Sequence, residues 1–350
     1  MQAAVLHAAP ILPATGPSPD RPRLLWFDAA RDRRGAGDAS ALLQLLEPGD
    51  VLVLNDAATL PGALFAHTVP EHAPLELRLI ARQAPSEWTA AIFGAGDWRT
   101  PTERREAPPP LGIGDRLALE GSEIEAEILG FLDTPRLLRL RFLASEEALA
   151  HALYARGRPV QYSYLSRDLR LDEVQTAYAT RPIAVEMPSA GRPLTWRLLL
   201  ELRRRGVEIV SLTHAAGLSS IGDEALDKML PLPEHYEIPA ATVAAIEGAR
   251  RRRSRVIAVG TTVVRALESA AQGSLRAGAG VASLVIGPEH RLAIVDGILS
   301  GTHESGSSHY RLLRAFLPED VLQSLLVEAS ARAHRGHEFG DTMLILRPPR

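Results

Sequence analysis

The groups in this chain able to do chemistry are few: a Gly-Thr-Thr turn, two histidines and several carboxylates beside strand-like runs. Val256-Ile257-Ala258-Val259 is a short apolar run of strand character, and Gly260-Thr261-Thr262 follows it directly. Val263, Val264 and Leu267 then recur at helical spacing, so the chain passes from a buried strand through Gly260 into a helix that Thr261 or Thr262 caps. Such a turn gathers backbone N–H donors, hydroxyls and the positive end of a helix, which suits an anion or a carboxylate. Arg265 and Glu268 stand one turn apart and could face one ligand or form an ordinary surface ion pair. His214 and His303 each follow a strand-like run, where ligand sites of α/β folds gather. Imidazole is the side chain best matched to proton transfer near neutral pH; a solvated loop histidine is the plainer alternative. Asp296 and Asp341 flank strands and could accept from sugar hydroxyls or cap turns. Glu186 fits a base or a plain surface acid equally well.

These groups need a frame. With 350 residues the chain has room for about two domains. Its 46% hydrophobic and 23% charged content is that of a globular protein. Cysteine is absent, which excludes disulfides, thiolate metal sites and a cysteine nucleophile. No His/Asp/Glu set has metal-ligand spacing, and neither Gly-x-x-x-x-Gly-Lys-Ser/Thr nor Gly-x-Ser-x-Gly occurs. No stretch is long enough to span a membrane and residues 1–20 lack signal-peptide character, so a cytoplasmic location is expected, with a monomer favoured. The net charge of −3 excludes a globally basic nucleic-acid binder. Of the 39 basic residues only Lys228 is a lysine. Any phosphate-binding patch is therefore built from guanidinium forks, with Arg250–Arg253 the obvious run, although that run also suits a helix C-terminus.

The chain divides by texture. Residues 24–27 and 51–54 are strand candidates, 31–37 a charged loop and 41–46 a helix stopped by Pro48-Gly49-Asp50. Between 64 and 143, short alternating segments at 75–80, 88–93, 116–119, 123–129 and 137–142 are separated by Gly, Pro and Asp turns, as in a small antiparallel β-barrel. From 146 onward helices (146–156, 194–205, 239–253, 307–316, 318–333) alternate with strands (207–212, 256–259, 282–286, 292–295, 342–346). The expected architecture is an α/β main domain of residues 1–63 and 144–350, with an inserted small antiparallel β-barrel domain at 64–143.

Several motifs run in a telling order. Leu46-Glu47-Pro48-Gly49-Asp50-Val51-Leu52-Val53-Leu54-Asn55-Asp56 comes first, then Gln175-Thr176-Ala177-Tyr178-Ala179 and Pro188-Ser189-Ala190-Gly191 with Thr195. Gly260-Thr261-Thr262 with Arg265 and Leu267-Glu268-Ser269 follows, then His303 and Phe339-Gly340-Asp341-Thr342-Met343-Leu344-Ile345. Together they resemble the S-adenosylmethionine:tRNA ribosyltransferase-isomerases of queuosine biosynthesis, from about residue 20 to 346. The resemblance implies an α/β domain carrying a β-barrel. It also implies transfer and isomerisation of the ribosyl part of S-adenosylmethionine onto 7-aminomethyl-7-deazaguanine in tRNA, giving epoxyqueuosine, adenine and methionine. On that reading S-adenosylmethionine is the co-substrate, tRNA the partner, and no metal is required. Gly260, Thr261, Thr262, Arg265 and Glu268, with Asn55 and Asp56 closing the pocket, would bind S-adenosylmethionine. His214, Gln175, Thr176, Tyr178 and Thr195 would meet the acceptor, and His303 and Asp341 are the catalytic candidates. The sequence also departs from the family pattern: Ala58 and Ala63 occupy arginine slots, Arg192-Pro193 replaces a His-Phe pair, and a lysine is absent from residues 301–307. These losses motivate two alternatives, a transferase with a non-tRNA acceptor or a nucleoside-binding relative without turnover.

Overall fold

The structure, a computed structural model, describes residues 10–18, 22–223, 227–271 and 273–350. Parts of the proline- and alanine-rich start fall outside that set. The chain opens with the hairpin β1 (Arg23–Asp28) and β2 (Arg33–Asp38), followed by β3 (Val51–Asn55) and the short β4 (Ala57–Thr59). Six strands come next: β5 (Ala63–Val69), β6 (Pro74–Ala84), β7 (Glu87–Phe93), β8 (Arg116–Leu119), β9 (Glu125–Phe131) and β10 (Leu137–Phe142). They close into an antiparallel barrel in the order β10-β7-β6-β5-β8-β9. Beyond it lie β11 (Arg181–Ala184), β12 (Glu208–His214), β13 (Glu234–Ile238), β14 (Val256–Val259), β15 (Gly278–Ala282), β16 (Gly297–Gly301) and β17 (Thr342–Leu346).

Nine of these strands form one mixed sheet, ordered β15-β13-β12-β3-β14-β16-β17-β1-β2. Its centre, β12-β3-β14-β16, is parallel. Period-two alternation decides which helices each face receives. Val51, Val53, Val256 and Ala258 pack with the helices Ala240–Arg252, Thr261–Ala270 and Glu319–Ala331. Leu52, Leu54, Ile257 and Val259 pack with Leu42 and with Leu198, Leu199 and Leu202 of the helix Trp196–Arg204. Strands buried on both faces lose the polar alternation, which is why β3 and β14 are uninterrupted apolar runs. The helix Glu146–Arg156, capped by Ser145, lays Leu149, Ala152 and Leu153 on the barrel core.

Three expectations change. Residues 31–37 do not form a loop; Arg33–Asp38 is an edge strand paired to β1, because backbone pairing at an exposed edge needs no apolar side chains. β5 and β13 escaped notice because their alternation is diluted by His67, Thr68, His235 and Glu237. The apolar runs 282–286 and 292–295 are not strands; the strands lie at Gly278–Ala282 and Gly297–Gly301. Residues 293–295 give their N–H groups to the Glu268 carboxylate, so no ladder forms there.

Candidate active site at the carboxyl edge of the sheet

The parallel strands β12, β3, β14 and β16 end at one edge of the sheet. There they present His214, Asn55, Gly260 and the segment Ser300–His303. β13 and β17 run the opposite way, so their first residues, Glu234 and Thr342 with Asp341 before it, reach the same edge. Ligand sites of open α/β sheets occupy this edge.

Gly260 makes the turn, with φ of 96°, a left-handed conformation that favours glycine. Its N–H donates to Leu299 at 2.8 Å, which holds the end of β14 against β16. No side chain caps the helix Thr261–Ala270, contrary to the expected threonine cap. Thr262 Oγ1 instead turns to Asn55 Nδ2 at 3.4 Å. The first N–H groups of a helix have no intrahelical acceptor, and no side chain here supplies one. Ala190 Cβ lies 3.6 Å from where a Cβ on Gly260 would stand, which brings the 3-10 turn Ser189–Gly191 onto the site. A Cβ on Gly191 would overlap the Tyr178 hydroxyl. Tyr178 OH and Thr176 Oγ1 are both buried without a hydrogen-bond partner among the described residues. Burial and the Asp56 charge raise the Tyr178 pKa, so the phenol stays neutral.

Asn55 Oδ1 accepts from His214 and Ala57. Asp56 accepts from Thr213 Oγ1 at 2.6 Å and Ser211 Oγ at 3.0 Å. Both side chains tie β3 to β12. His214 is fully buried, with Nε2 3.5 Å from Glu234 Oε2 and no hydrogen bond at either ring nitrogen. Burial, then the nearby Arg265 charge, push its pKa down to about 3, so the ring is neutral. His303 Nε2 lies 2.8 Å from Ser300 Oγ, and its ring stacks on His309 with centroids 4.6 Å apart. Burial, then His309 and His337, hold His303 well below the usual histidine range, as an unprotonated base requires.

Several expected site residues turn out to be structural in their contacts. Arg265 and Glu268 do not face one ligand. Arg265 is ion-paired with buried Glu234 and donates to the Ala282 and Leu232 carbonyls at 2.8 and 3.1 Å. Glu268 points away, accepting from Ala293, Ile294 and Val295 at 2.6, 3.0 and 3.1 Å. The Asp341 carboxylate accepts from Arg23 N, Nε and Nη2 and from Arg335 N, which anchors the loop rather than leaving a free base. Gln175 clasps both backbone groups of Thr59 at 2.9 Å, and Thr195 caps the helix Trp196–Arg204 through Leu198. Asp296 precedes β16 and bonds Val256 N at 3.0 Å, so it sits at the opposite edge. Arg250–Arg253, at the end of the helix leading into β14, also belong to that far edge, where Arg251 and Arg252 meet Glu247 and Glu208.

The structure adds residues that no motif announced: Ser300, His309, His337, Tyr162, Tyr164 and Glu338. Tyr162 and Tyr164 stack with centroids 5.8 Å apart, and His337 lies against Tyr164 at 4.5 Å. Glu186 and Glu338 line a cavity with Tyr162, Met187 and Phe339, and Arg192 lies over the Phe339 ring at 5.0 Å. Lone aromatics and acids in loops carry no periodicity, so only Glu186 drew attention from sequence. Among the described residues no group of three or more His, Asp or Glu is placed to hold a metal, and no helix is long and apolar enough to cross a membrane.

The chain matches the model of the queuosine biosynthesis protein family over residues 9–345. The S-adenosylmethionine:tRNA ribosyltransferase-isomerase of Gloeobacter violaceus is 35% identical over 334 residues, covering 93% of this chain and 90% of that protein. The Thermus thermophilus protein of the same name is 34% identical, over 87% of this chain and 86% of its own length. The crystal structure of S-adenosylmethionine tRNA ribosyltransferase from Thermotoga maritima aligns with a TM-score of 0.52 at 24% identity, over 97% of this chain and 99% of that one, and shares the fold. A mixed sheet carrying the Gly260 turn at its carboxyl edge, a closed six-stranded barrel and this family match along nearly the whole sequence show that the chain belongs to the queuosine biosynthesis protein family.

Proposed function

We infer that the chain is an S-adenosylmethionine:tRNA ribosyltransferase-isomerase, transferring and isomerising the ribosyl part of S-adenosylmethionine onto 7-aminomethyl-7-deazaguanine in tRNA. The observation that carries this reading is the full-length likeness to curated enzymes of that name, joined to a strand-end turn built to take a carboxylate. The sulfonium already makes methionine a good leaving group. The protein must therefore orient the ribose, hold the two ends of the co-substrate and move protons.

The Gly260 turn, through the backbone N–H groups of Thr261 and Thr262, faces an anionic end of S-adenosylmethionine, its carboxylate. Asn55 sets the position of Thr262 and of His214, and Asp56 supports Thr213 beside them. Arg265 and Glu268 brace this helix from behind. Thr176 and Tyr178 lie behind Gly191, and their hydroxyl oxygens are buried without a partner among the described residues. His303 is the proton-transfer candidate, neutral and tuned by its stacked neighbour. We place the enzyme in the cytoplasm as a monomer. Its edge strand β2 carries Arg33, Arg34 and Asp38, charges that discourage edge-to-edge pairing.

The test is to incubate the protein with S-adenosylmethionine, with and without tRNA carrying the aminomethyl-deazaguanine, and to follow adenine and methionine by mass spectrometry. Release that depends on the modified tRNA, with a matching mass gain on the RNA, is the expected outcome. S-adenosylmethionine binding without any release overturns the tRNA assignment and points to another acceptor.

A further inference from the structure

Glu186 is the group in the molecule whose surroundings least resemble a structural acid. It lies two residues past the end of β11 and three residues before Ser189, the start of the turn that packs on Gly260. Its Oε1 accepts the Ser219 N–H at 3.0 Å and meets the Tyr162 hydroxyl. That hydroxyl is also 3.2 Å from the Ser220 carbonyl oxygen. The phenol donates to Glu186, and the Ser220 carbonyl is a longer, second acceptor of the same proton. Two neutral donors, the phenol and the Ser219 N–H, thus orient the carboxyl without a fixed charge beside it.

The surroundings agree. Tyr164, stacked on Tyr162, holds the second acid, Glu338, through its hydroxyl. Both acids line one narrow cavity whose walls are mostly apolar, Leu165, Leu169, Met187 and Phe339 among them. Among the described residues neither acid has an ion-pair partner. The charged and titratable neighbours are His337 against Tyr164 and Arg192, which bonds the Glu338 carbonyl at 3.2 Å rather than its carboxylate. Burial, then the Glu338 charge, push Glu186 up to about 7. A carboxyl in that range can take and return a proton near neutral pH.

We propose that Glu186 is a catalytic base of the transfer, taking a proton from the primary amine of the acceptor in the cavity it shares with Glu338. The proposal rests on the reaction inferred above, whose acceptor carries an aminomethyl group. An ammonium has no lone pair and cannot attack carbon. In the step assigned here the N–H bond breaks, the proton passes to the ionised Glu186 carboxylate, and the nitrogen keeps the electron pair that forms the new N–C bond, while that carbon's bond to its leaving group, methionine or adenine, breaks and the pair departs with it. Glu338 is a positioning residue that tunes Glu186, while Tyr162 and the Ser219 N–H hold it in place.

The experiment measures adenine release against pH with modified tRNA for the wild type, Glu186→Gln and Glu338→Gln. Glu186→Gln is expected to lower kcat by about a hundredfold or more, with KM for tRNA and S-adenosylmethionine affinity within about threefold, and to abolish the acid limb near neutrality. Glu338→Gln removes the repulsion and is expected to move that limb to lower pH. Glu186→Asp is expected to restore part of the rate. A Glu186→Gln enzyme with near wild-type kcat and an unchanged acid limb overturns the proposal. A second measurement does not need turnover. Free 7-aminomethyl-7-deazaguanine is titrated calorimetrically at pH 6.5 in two buffers of different ionisation enthalpy. Proton release on binding to wild type, absent in Glu186→Gln, supports the assignment. No binding, or the same proton balance in both, overturns it. Binding with proton release but no reaction on modified tRNA keeps Glu186 as the amine's partner and overturns the tRNA reaction instead.

Discussion

Asn55 grips His214 through both ends of its amide: Oδ1 accepts the His214 N–H at 2.9 Å and Nδ2 donates to the His214 carbonyl at 3.0 Å. The same Nδ2 reaches Thr262 Oγ1, so one fully buried side chain joins the ends of β3 and β12 to the Gly260 turn. The strand ends are thereby held in register at the carboxyl edge of the sheet.

Asn55→Ala leaves the His214 N–H buried without its acceptor and takes one of two donors from the His214 carbonyl, which keeps the Ala216 N–H. The loss is expected to be about 1–3 kcal/mol in urea unfolding, together with weaker S-adenosylmethionine binding. Unchanged stability would mean the two strand ends hold their places without this amide.

Gly260→Ala forces a side chain into φ of 96° at the turn. The expected cost is about 1–3 kcal/mol of unfolding free energy, read by calorimetry. S-adenosylmethionine affinity, titrated on the folded variant, should fall as well. Full affinity in a destabilised variant would place the carboxylate elsewhere.

Glu268→Gln separates bracing from binding. Its carboxylate receives three N–H bonds from 293–295 and none of its partners lies at the carboxyl edge. Stability is expected to drop by about 2–3 kcal/mol, since hydrogen bonds to a charged acceptor are lost. S-adenosylmethionine affinity should stay within about twofold, below 0.5 kcal/mol in free energy.

His214 makes stability depend on pH with a definite sign. Its folded pKa is near 3, against about 6.5 in the unfolded chain. Between those values the unfolded state binds the proton and the folded state does not. The contribution is therefore complete above 6.5 and declines by about 1.4 kcal/mol per pH unit as pH falls toward the folded pKa. Glu234, whose pKa burial raises, acts in the opposite direction, so the test compares the wild type with His214→Phe. The variant's urea midpoints at pH 7.5, 6 and 5 should fall less steeply. Parallel pH profiles would show that His214 is protonated in the fold.

How much was legible in advance follows from how each feature is encoded. Local spacing fixed the Gly260 turn, the helices beginning near Ser145, Thr195, Pro239, Ser307 and Pro318, and the two-face burial of β3 and β14, because caps and periodicity act within a few residues. The alternating texture between 64 and 143 announced a barrel for the same reason. The order of motifs announced the family.

What each polar side chain does with its hydrogen bonds depended on partners far away in the chain, and local spacing carries no information about them. Asp341 looked like a free carboxylate until Arg23, 318 residues away, arrived to occupy it. Arg265 and Glu268, neighbours on one helix, part toward Glu234 and toward 293–295. Glu186 and Glu338 lie far apart in sequence and come to one cavity, each held by one of two stacked tyrosines. The sequence by itself determined the elements and the family; only the tertiary structure decided which polar groups the fold itself uses, because burial satisfies every donor and acceptor it can reach and leaves a small remainder for chemistry.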